Sequence, residues 1–235
     1  MIVYPKNWIN IGQSIQIKEI ENTILQVLSE INCNCISFSG GLDSSLMLYY
    51  MLQVYDQVYA FTMGSSEEHP DVEYSKLVVS DLENVVHRVY IPSYKELEIA
   101  EFRHGDFEGD KEVRLFYKYV KQYTDEIIAC DGIDEFMCGY YSHQDKPYED
   151  TYYTHLRELS GKHLIPLYKN SGDVKVYLPY LDDGLISLFS QIEISRKVDK
   201  GCRKKLLVEM ADGKIPDEII HRRKYGFCDV LKIKG

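Results

Sequence analysis

Residues 33–45 read CNCISFSGGLDSS, and this stretch decides the fold of the chain. Its first half, from Cys33 to Phe38, has the short apolar pattern of a buried strand. The glycines and serines that follow are typical of a tight turn, and the apolar residues from Leu46 to Tyr55 predict a helix after it. The stretch therefore predicts a strand, a glycine-bearing turn and a helix, which is how a βαβ unit begins.

The same alternation of strands and helices continues on both sides of this stretch. We predict helices over residues 15–30, 74–82 and 111–123, and strands over residues 57–63, 85–91 and 126–130. Such an alternation indicates a parallel sheet, so the predicted fold class is α/β. After residue 141 the pattern becomes mainly helical. We expect a single domain over residues 1–235, with its α/β core at about 15–141 and a helical part at about 142–235.

The turn at residues 39–45 has the features of a phosphate-binding site. Gly40 and Gly41 let the backbone approach a ligand without a Cβ in the way. The helix that follows offers unpaired N–H groups and the positive end of its dipole, and both attract an anion. Hydroxyl groups that can add hydrogen bonds belong to Ser39, Ser44 and Ser45. An ordinary strand-to-helix turn is the alternative interpretation. A Walker A loop is excluded, because no Gly-Lys-Ser/Thr string follows.

Acidic side chains after two of the predicted strands indicate a magnesium site. Asp43 lies inside the phosphate turn, where a Mg²⁺ ion that bridges carboxylate and phosphate oxygens would offset its charge. A second acidic string, DGIDEFMCGY at residues 131–140, follows the strand at 126–130. Ligands of parallel sheets bind beyond the carboxyl ends of the strands. We therefore predict that Asp43 and Asp134 hold Mg²⁺ from two sides. The alternative is an acidic helix N-terminus that the helix dipole favours.

These two strings together resemble a known family. Residues 39–45 are similar to the SGGLDSS signature of the PP-loop ATP pyrophosphatases, and residues 131–140 resemble the SG[ED]GxDExFGGY string of asparagine synthetases. Three later segments are similar to P[FY]LD, to KYLLREA and to LPEEI followed by RxKxGF, and they lie at residues 178–182, 204–210 and 215–227. The resemblance covers roughly residues 20–230. It implies a doubly wound parallel sheet, with ATP and Mg²⁺ as cofactors.

The resemblance also implies roles for individual residues. Asp131 matches an acidic position near the reaction centre, and Glu135 either supports a neighbouring ligand or caps the next helix. Lys204 matches the lysine that binds pyrophosphate, and Lys224 is a second candidate cation. Beyond the phosphate turn, the residues expected to contact the nucleotide are Ser37, Phe38, Met63, Cys130 and Gly132.

The chain departs from the family pattern at several positions. Cys130 stands where a glycine is expected to approach the nucleotide, Cys138 replaces the first glycine of GGY, and Val208 replaces the arginine of KYLLREA. These changes weaken the inference that aspartate is the substrate more than they weaken the inference that ATP is the cofactor. Members that hydrolyse glutamine carry a cysteine after the initiator Met, where this chain has Ile2. We therefore expect the nitrogen to come from ammonia, from a substrate amine or from a separate glutaminase or biosynthetic partner protein.

The resemblance implies a ligase that joins a carboxylate to nitrogen in two steps. The substrate carboxylate attacks the α-phosphorus of ATP and releases pyrophosphate, and an amine or ammonia then displaces AMP. One alternative is a PP-loop enzyme that inserts sulfur, which would use paired exposed cysteines and a basic surface. The other is a non-catalytic subunit that binds a nucleotide and regulates a partner.

Composition and charge exclude some classes of partner. The chain has 37 acidic and 27 basic residues and a formal net charge of -10, which argues against a broad nucleic-acid surface. The basic residues concentrated between Arg196 and Lys224 suit either a small anionic ligand or a solvated helix face. No stretch approaches the ~20 apolar residues of a membrane span. With no pattern typical of a signal peptide, we expect a cytoplasmic protein.

Overall fold

The computed structural model describes residues 11–222, and these form an α/β fold around one parallel sheet. The strands are β1 (Cys35–Ser37), β2 (Val58–Met63), β3 (Val85–Tyr90), β4 (Glu126–Ile128) and β5 (Lys175–Tyr177). Their order across the sheet is β3-β2-β1-β4-β5, and every neighbouring pair is parallel. Helices flank the sheet, which confirms the predicted doubly wound α/β class.

The helices follow one another along the chain with short connections. The first seven are α1 (Ile17–Ile31), α2 (Leu42–Met51), α3 (Pro70–Val79), α4 (Tyr94–Ile99), α5 (Asp110–Val120), α6 (Ile133–Phe136) and α7 (Tyr141–Asp145). They are followed by α8 (Glu149–Leu159), α9 (Ile165–Asn170), α10 (Asp183–Gln191), α11 (Ile194–Lys197), α12 (Lys205–Ala211) and α13 (Asp217–Ile220). A π-helical turn at Ser160–Leu164 joins α8 to α9, and a 3₁₀ turn at Pro179–Leu181 precedes α10.

The strand order places the two motifs from the sequence next to each other. From β1 the chain moves outward to β2 and β3, and it then returns to pair β4 with the other side of β1, where Ile36 is opposite Ile128. This reversal opens a crevice at the carboxyl ends of β1 and β4, which is where ligands bind in open α/β sheets. The phosphate turn follows β1 and the acidic string follows β4, so both lie at this crevice.

Several features of the fold differ from the sequence prediction: α3 spans Pro70–Val79 rather than residues 74–82, and α4 was not predicted. Helix α2 begins at Leu42 rather than at residue 46, because Gly41 takes an extended conformation and acts as its N-cap. The three residues of β5 join the sheet although they lie beyond residue 141, in the part predicted to be mainly helical. Lys175 interrupts the apolar residues around β5, whereas β4 begins a continuous apolar run from Ile127 to Cys130, so only β4 shows the pattern of a buried strand. Lys175 and Glu126, opposite one another in β5 and β4, give this pair opposite charges.

The core forms around the central strands and the helices that cover them. Ile20, Ile24 and Leu28 recur at helical spacing along α1, and each of them is fully buried. The predicted amphipathic helix is therefore confirmed. Helix α2 is buried on nearly all sides, so it carries the phosphate turn on a rigid support. Within residues 11–222, each helix is too short or too polar to cross a membrane.

Candidate active site

The phosphate turn depends on a glycine that packs against a neighbouring helix. Gly40 has a φ of 63°, in the left-handed region, and a Cβ at this position would overlap the backbone of Tyr74 and Ser75 in α3. Next to it, Gly41 donates its N–H to Ser39 Oγ at 3.3 Å, and Ser39 Oγ lies 3.3 Å from Ser44 Oγ. The turn is thus held close to α3 with its serine hydroxyls gathered on one side.

Arg222 fixes the carbonyl groups of this turn. Its Nη1 donates to Ser39 O at 3.0 Å and to Gly40 O at 3.1 Å, while Nη2 forms an ion pair with Asp71 at the start of α3. The guanidinium also lies 4.6 Å from the ring centre of Tyr74. Because a trans peptide places its C=O and N–H on opposite sides, the Gly40 N–H, which follows the Ser39 carbonyl, faces away from Arg222. The next N–H, that of Gly41, donates to Ser39 Oγ and so directs this hydroxyl within the turn.

A lysine lies between the two aspartates that the sequence assigns to magnesium. Lys204 Nζ is 2.6 Å from both carboxylate oxygens of Asp43 and 2.7 Å from Asp134 Oδ1. The three side chains are only 8–13% exposed, so the interaction is largely shielded from water. Lys204 itself is the N-cap residue of α12 and has a φ of 53°, which is a strained backbone conformation for a residue with a side chain.

Gly139 makes room for this arrangement. A Cβ on Gly139 would overlap the Asp134 carboxylate and Lys204 Cε, so any larger residue would displace one of them. Cys138, which stands where the family pattern has a glycine, keeps a left-handed backbone with a φ of 55°. Its side chain is fully buried beside Tyr152 and Val198, and this packing offsets the cost of the conformation.

Asp131 lies among aromatic and imidazole side chains. Burial raises the pKa of the Tyr117 phenol, and the nearby Asp131 and Cys130 raise it further. Partial burial lowers the pKa of His163, and the carboxylates of Asp131 and Asp134 raise it part of the way back. His163 is therefore close to both aspartates and carries a neutral imidazole at pH 7.

The carboxylate of Glu135 is buried beneath this region, where it contacts Tyr140 and His163. Its buried carboxylate accepts a hydrogen bond from Tyr140 Oη at 2.7 Å, and His163 Nε2 lies 3.7 Å away. Burial and the nearby Glu135 and Asp134 charges raise the pKa of Tyr140, so its phenol stays protonated. Glu135 thus orients Tyr140, which does line the crevice.

The crevice encloses a cavity of about 1040 Å³. Its wall contains eleven of the residues that the sequence assigns to the site. These are Ser37, Phe38, Ser39, Gly41, Asp43, Ser44, Met63, Cys130, Asp131, Asp134 and Lys204. Cavities in proteins that hold small molecules measure about 300–1,000 Å³, so this one has room for a nucleotide and part of a second substrate.

Five predicted site residues are missing from the cavity surface. Four of them lie behind it, and one lies outside the described residues. Gly40 packs against α3, and Ser45 is buried within α2. Gly132, with a φ of 90°, packs against Leu181, and Glu135 is buried behind Tyr140. These four residues shape the wall rather than form its surface. Lys224 lies outside residues 11–222.

Three residues of the site were not assigned from the sequence. Arg222 and Gly139 stand inside the strings RxKxGF and GGY, so the motifs that contain them were visible but their contacts were not. His163 lies in the π-helical turn and belongs to no motif. The feature that identifies His163 is its proximity to Asp131, and this proximity exists only in the folded chain.

Magnesium fits the carboxylates of this site. Mg²⁺ usually binds to one or two protein carboxylates and takes its other ligands from substrate phosphates and water. Asp43 and Asp134 approach a single point, now marked by the Lys204 ammonium group, and can therefore contact one cation. The part of the chain that the structure describes contains no group of three or more His, Cys, Asp or Glu side chains suited to a metal. A magnesium ion here would depend on phosphate oxygens.

Comparison with known families agrees with these motifs. The family described as asparagine synthase matches the chain over residues 32–173 and 167–234. No curated protein matches the chain. The family match includes the phosphate turn, the acidic string after β4 and Lys204, and it extends over most of the sequence. The chain therefore belongs to the asparagine synthase family, whose members are ligases that use ATP.

Proposed function

We propose that the chain is an AMP-forming amidoligase. It adenylates a substrate carboxylate with ATP, releases pyrophosphate and transfers the acyl group to ammonia or an amine. The observation that carries this proposal is the contact of Lys204 with Asp43 and Asp134, directly beside the phosphate turn. A cation and two carboxylates at the N-terminus of α2 suit a triphosphate, whose charge needs both hydrogen-bond donors and counter-ions.

In the first step, a carboxylate oxygen attacks the α-phosphorus, and the bond from that phosphorus to the bridging oxygen of the β-phosphate breaks. The N–H groups of the phosphate turn bind the departing pyrophosphate, and the Lys204 ammonium neutralises part of its charge. Mg²⁺ held by Asp43 and Asp134 would supply further charge neutralisation on the phosphates. The adenine is placed beside Phe38 and Met63, which line the cavity at the ends of β1 and β2.

In the second step, nitrogen attacks the acyl carbon of the adenylate, and AMP leaves with the electron pair of the broken C–O bond. The attacking nitrogen must lose a proton. Asp131 and the neutral imidazole of His163 are the groups proposed to accept it. The nitrogen comes from ammonia, an amine or a partner glutaminase.

Pyrophosphate release tests this function. The chain is incubated with ATP, Mg²⁺, ammonia and a panel of carboxylic acids, and AMP and pyrophosphate are measured. We expect one acid class to produce both in equal amounts. Asp43→Asn and Asp134→Asn should each reduce the rate at least about 100-fold, because each removes charge at the phosphates. Asp125→Asn alters an exposed surface pair and should stay within about twofold of the parent rate.

Three results would contradict the proposal. Release of pyrophosphate at full rate from both aspartate variants would remove the role of the two carboxylates. Labelled sulfur in a product would instead indicate a thiolation enzyme, an alternative supported by the position of Cys130 and Cys202 in the same cavity wall. Binding of ATP with no turnover of any acid, by the chain alone or with added glutaminase, would indicate a regulatory subunit.

A further inference from the structure

One part of the cavity wall is apolar and comes from α5, α9 and the loop before α5 rather than from the phosphate turn. It is formed by Phe107, by Val113 and Phe116 of α5, and by Pro166 and Leu167 of α9. We call these five residues the apolar lobe. Pro166 and Phe116 are buried, Val113 and Leu167 are half-buried, and Phe107 is 51% exposed at the rim. Such a surface binds uncharged groups, because it offers them burial without hydrogen-bond partners.

The lobe is held in place by an arginine behind it. Arg114 of α5 donates to Asn170 Oδ1 at the end of α9 at 2.8 Å, and it forms an ion pair with Asp106 at 2.6 Å. The Arg114 and Asp106 side chains are only 15% and 9% exposed. Asp110 fixes the adjoining turn by accepting a hydrogen bond from Phe107 N at 3.1 Å. The two helices and the loop before α5 are thus joined, so the lobe exists before a ligand binds.

The lobe is continuous with the proposed reaction centre. Tyr117 follows Phe116 on α5, and its phenol is influenced by the charges of Asp131 and Cys130. On the other wall, His163 stands just before α9, close to Asp131 and Asp134. An acyl-adenylate whose acyl carbon lies near Asp131 and His163 would therefore extend its carbon skeleton between α5 and α9, which means into the lobe.

The charges around the lobe disfavour a second carboxylate on the substrate. The nearest acidic groups along the chain, Glu108 and Asp110, line the same cavity wall. The lysine and arginine side chains of the described cavity wall each contact another group, and these pairs are Lys162 with Glu158, Arg203 with Gly139 O, Lys204 with Asp43 and Asp134, and Arg222 with Asp71 and the phosphate turn. The five residues of the lobe supply no cation, so the second carboxylate of a dicarboxylic acid such as aspartate would be placed against apolar side chains and near these acidic groups.

We propose that the acid activated by this enzyme is a monocarboxylic acid with an uncharged, apolar body that occupies the lobe. The proposal rests on the amidoligase function above and narrows its substrate class. Burial of an apolar chain in a preformed lobe raises kcat/KM about fourfold for each methylene group that enters, up to the length at which the lobe is full.

A series of acids tests this substrate class. Pyrophosphate release is measured with ATP, Mg²⁺ and ammonia for straight-chain acids from acetate to octanoate, for phenylacetate, and for succinate and aspartate. We expect kcat/KM to rise along the straight-chain series and to exceed the value for aspartate at least about tenfold. A preference for aspartate or succinate over every apolar acid would overturn the inference and leave the amidoligase function intact.

Variants of α9 locate the effect in the lobe. Leu167→Arg should reduce kcat/KM for the longest accepted acid at least about tenfold more than it reduces kcat/KM for acetate, because it puts a charge into the lobe. Leu167→Ala, a milder change, should reduce it about three- to tenfold. Tyr168→Ala is the matched control, since Tyr168 is 83% exposed on the same helix. Equal loss for acetate and octanoate in both Leu167 variants would contradict the proposal.

If no acid supports pyrophosphate release, the amidoligase function fails and the lobe is tested by binding alone. Calorimetry with octanoate and phenylacetate, in the presence of AMP, is then compared between the parent and Leu167→Arg. Binding that the Arg variant loses supports an apolar ligand site. Absence of binding to the parent chain overturns it.

Discussion

The ammonium nitrogen of Lys204 lies 2.6 Å from both carboxylate oxygens of Asp43, although the two residues are 161 positions apart in the chain. The same nitrogen contacts Asp134, so one lysine joins the phosphate turn after β1 to the acidic string after β4. The cation found between the two aspartates is thus a side chain at the position where the sequence predicts Mg²⁺. Binding of Mg-ATP would then require Lys204 to turn from the carboxylates towards the phosphates.

Replacement of Lys204 by Met tests this exchange of cations. Without the ammonium group, two nearly buried carboxylates repel each other, and the free energy of unfolding should fall by about 2–4 kcal/mol. Mg²⁺ alone should restore part of the loss, because it can take the vacated position. We expect millimolar Mg²⁺ to raise the Tm of Lys204→Met by about 2–6 °C more than that of the parent chain.

The exposed Lys121, paired with Asp125, provides the control for this experiment. Lys121→Met should leave both stability and its Mg²⁺ response close to those of the parent, since a surface ion pair contributes little. Equal Mg²⁺ shifts in the parent and in Lys204→Met would show that the two aspartates do not share the ion.

Gly139→Ala should impair the site while the fold stays intact. The new methyl group would overlap the Asp134 carboxylate and Lys204 Cε, so one of them must move while the sheet and the core remain. We expect pyrophosphate release to fall at least about 100-fold, with a loss of stability of about 1–3 kcal/mol. Gly161→Ala is the matched control, because a Cβ at Gly161 has no atom within 4 Å. Similar rates for both variants would contradict the role of Gly139.

Arg222→Lys tests whether the phosphate turn needs the planar guanidinium group of Arg222 or only its positive charge. Lysine can keep the ion pair with Asp71, but it cannot also hold the carbonyls of Ser39 and Gly40 in one plane. The turn then loses its fixed N–H groups, so KM for ATP should rise about tenfold while kcat changes less. Initial rates over a range of ATP concentrations measure both constants. A variant with a normal KM and a reduced kcat would indicate a different role.

The main layout of the site could be predicted from the sequence because it depends on local patterns. A strand followed by SGGLDSS, and another followed by DGIDE, are each readable within about ten residues, and parallel pairing places their ends at one edge. The pairing of β1 with β4 then brings Asp43 and Asp134 together without further information.

The remaining contacts could not be predicted because they join distant parts of the chain. Lys204 was assigned to pyrophosphate by resemblance, but its position between the aspartates depends on where α12 packs. The contact of Arg222 with the phosphate turn spans 183 residues, and the apolar lobe arises only when α5 and α9 pack together. No periodicity within either helix shows which helix it will face.

Lys197 provides a test of the helical part, away from the cavity. Its side chain is fully buried, and Nζ lies 2.8 Å from Tyr152 Oη and 4.4 Å from the Tyr152 ring centre. Burial lowers the pKa of this lysine from 10.5 to about 7 in the folded protein. Between these two pH values the unfolded chain binds one more proton at this position than the folded chain does.

Stability of the parent should therefore rise with pH from about 7 to about 10.5, relative to Lys197→Met, which has no titrating group there. The difference should grow by up to about 1.4 kcal/mol for each pH unit, because one proton is lost on folding. Urea unfolding of both proteins at pH 7, 8 and 9 measures it, and Lys205→Met, on the half-exposed Lys205, controls for a general loss of charge. Parallel curves for the parent and Lys197→Met would mean that the buried amine keeps an ordinary pKa. Burial would then not control the protonation of Lys197.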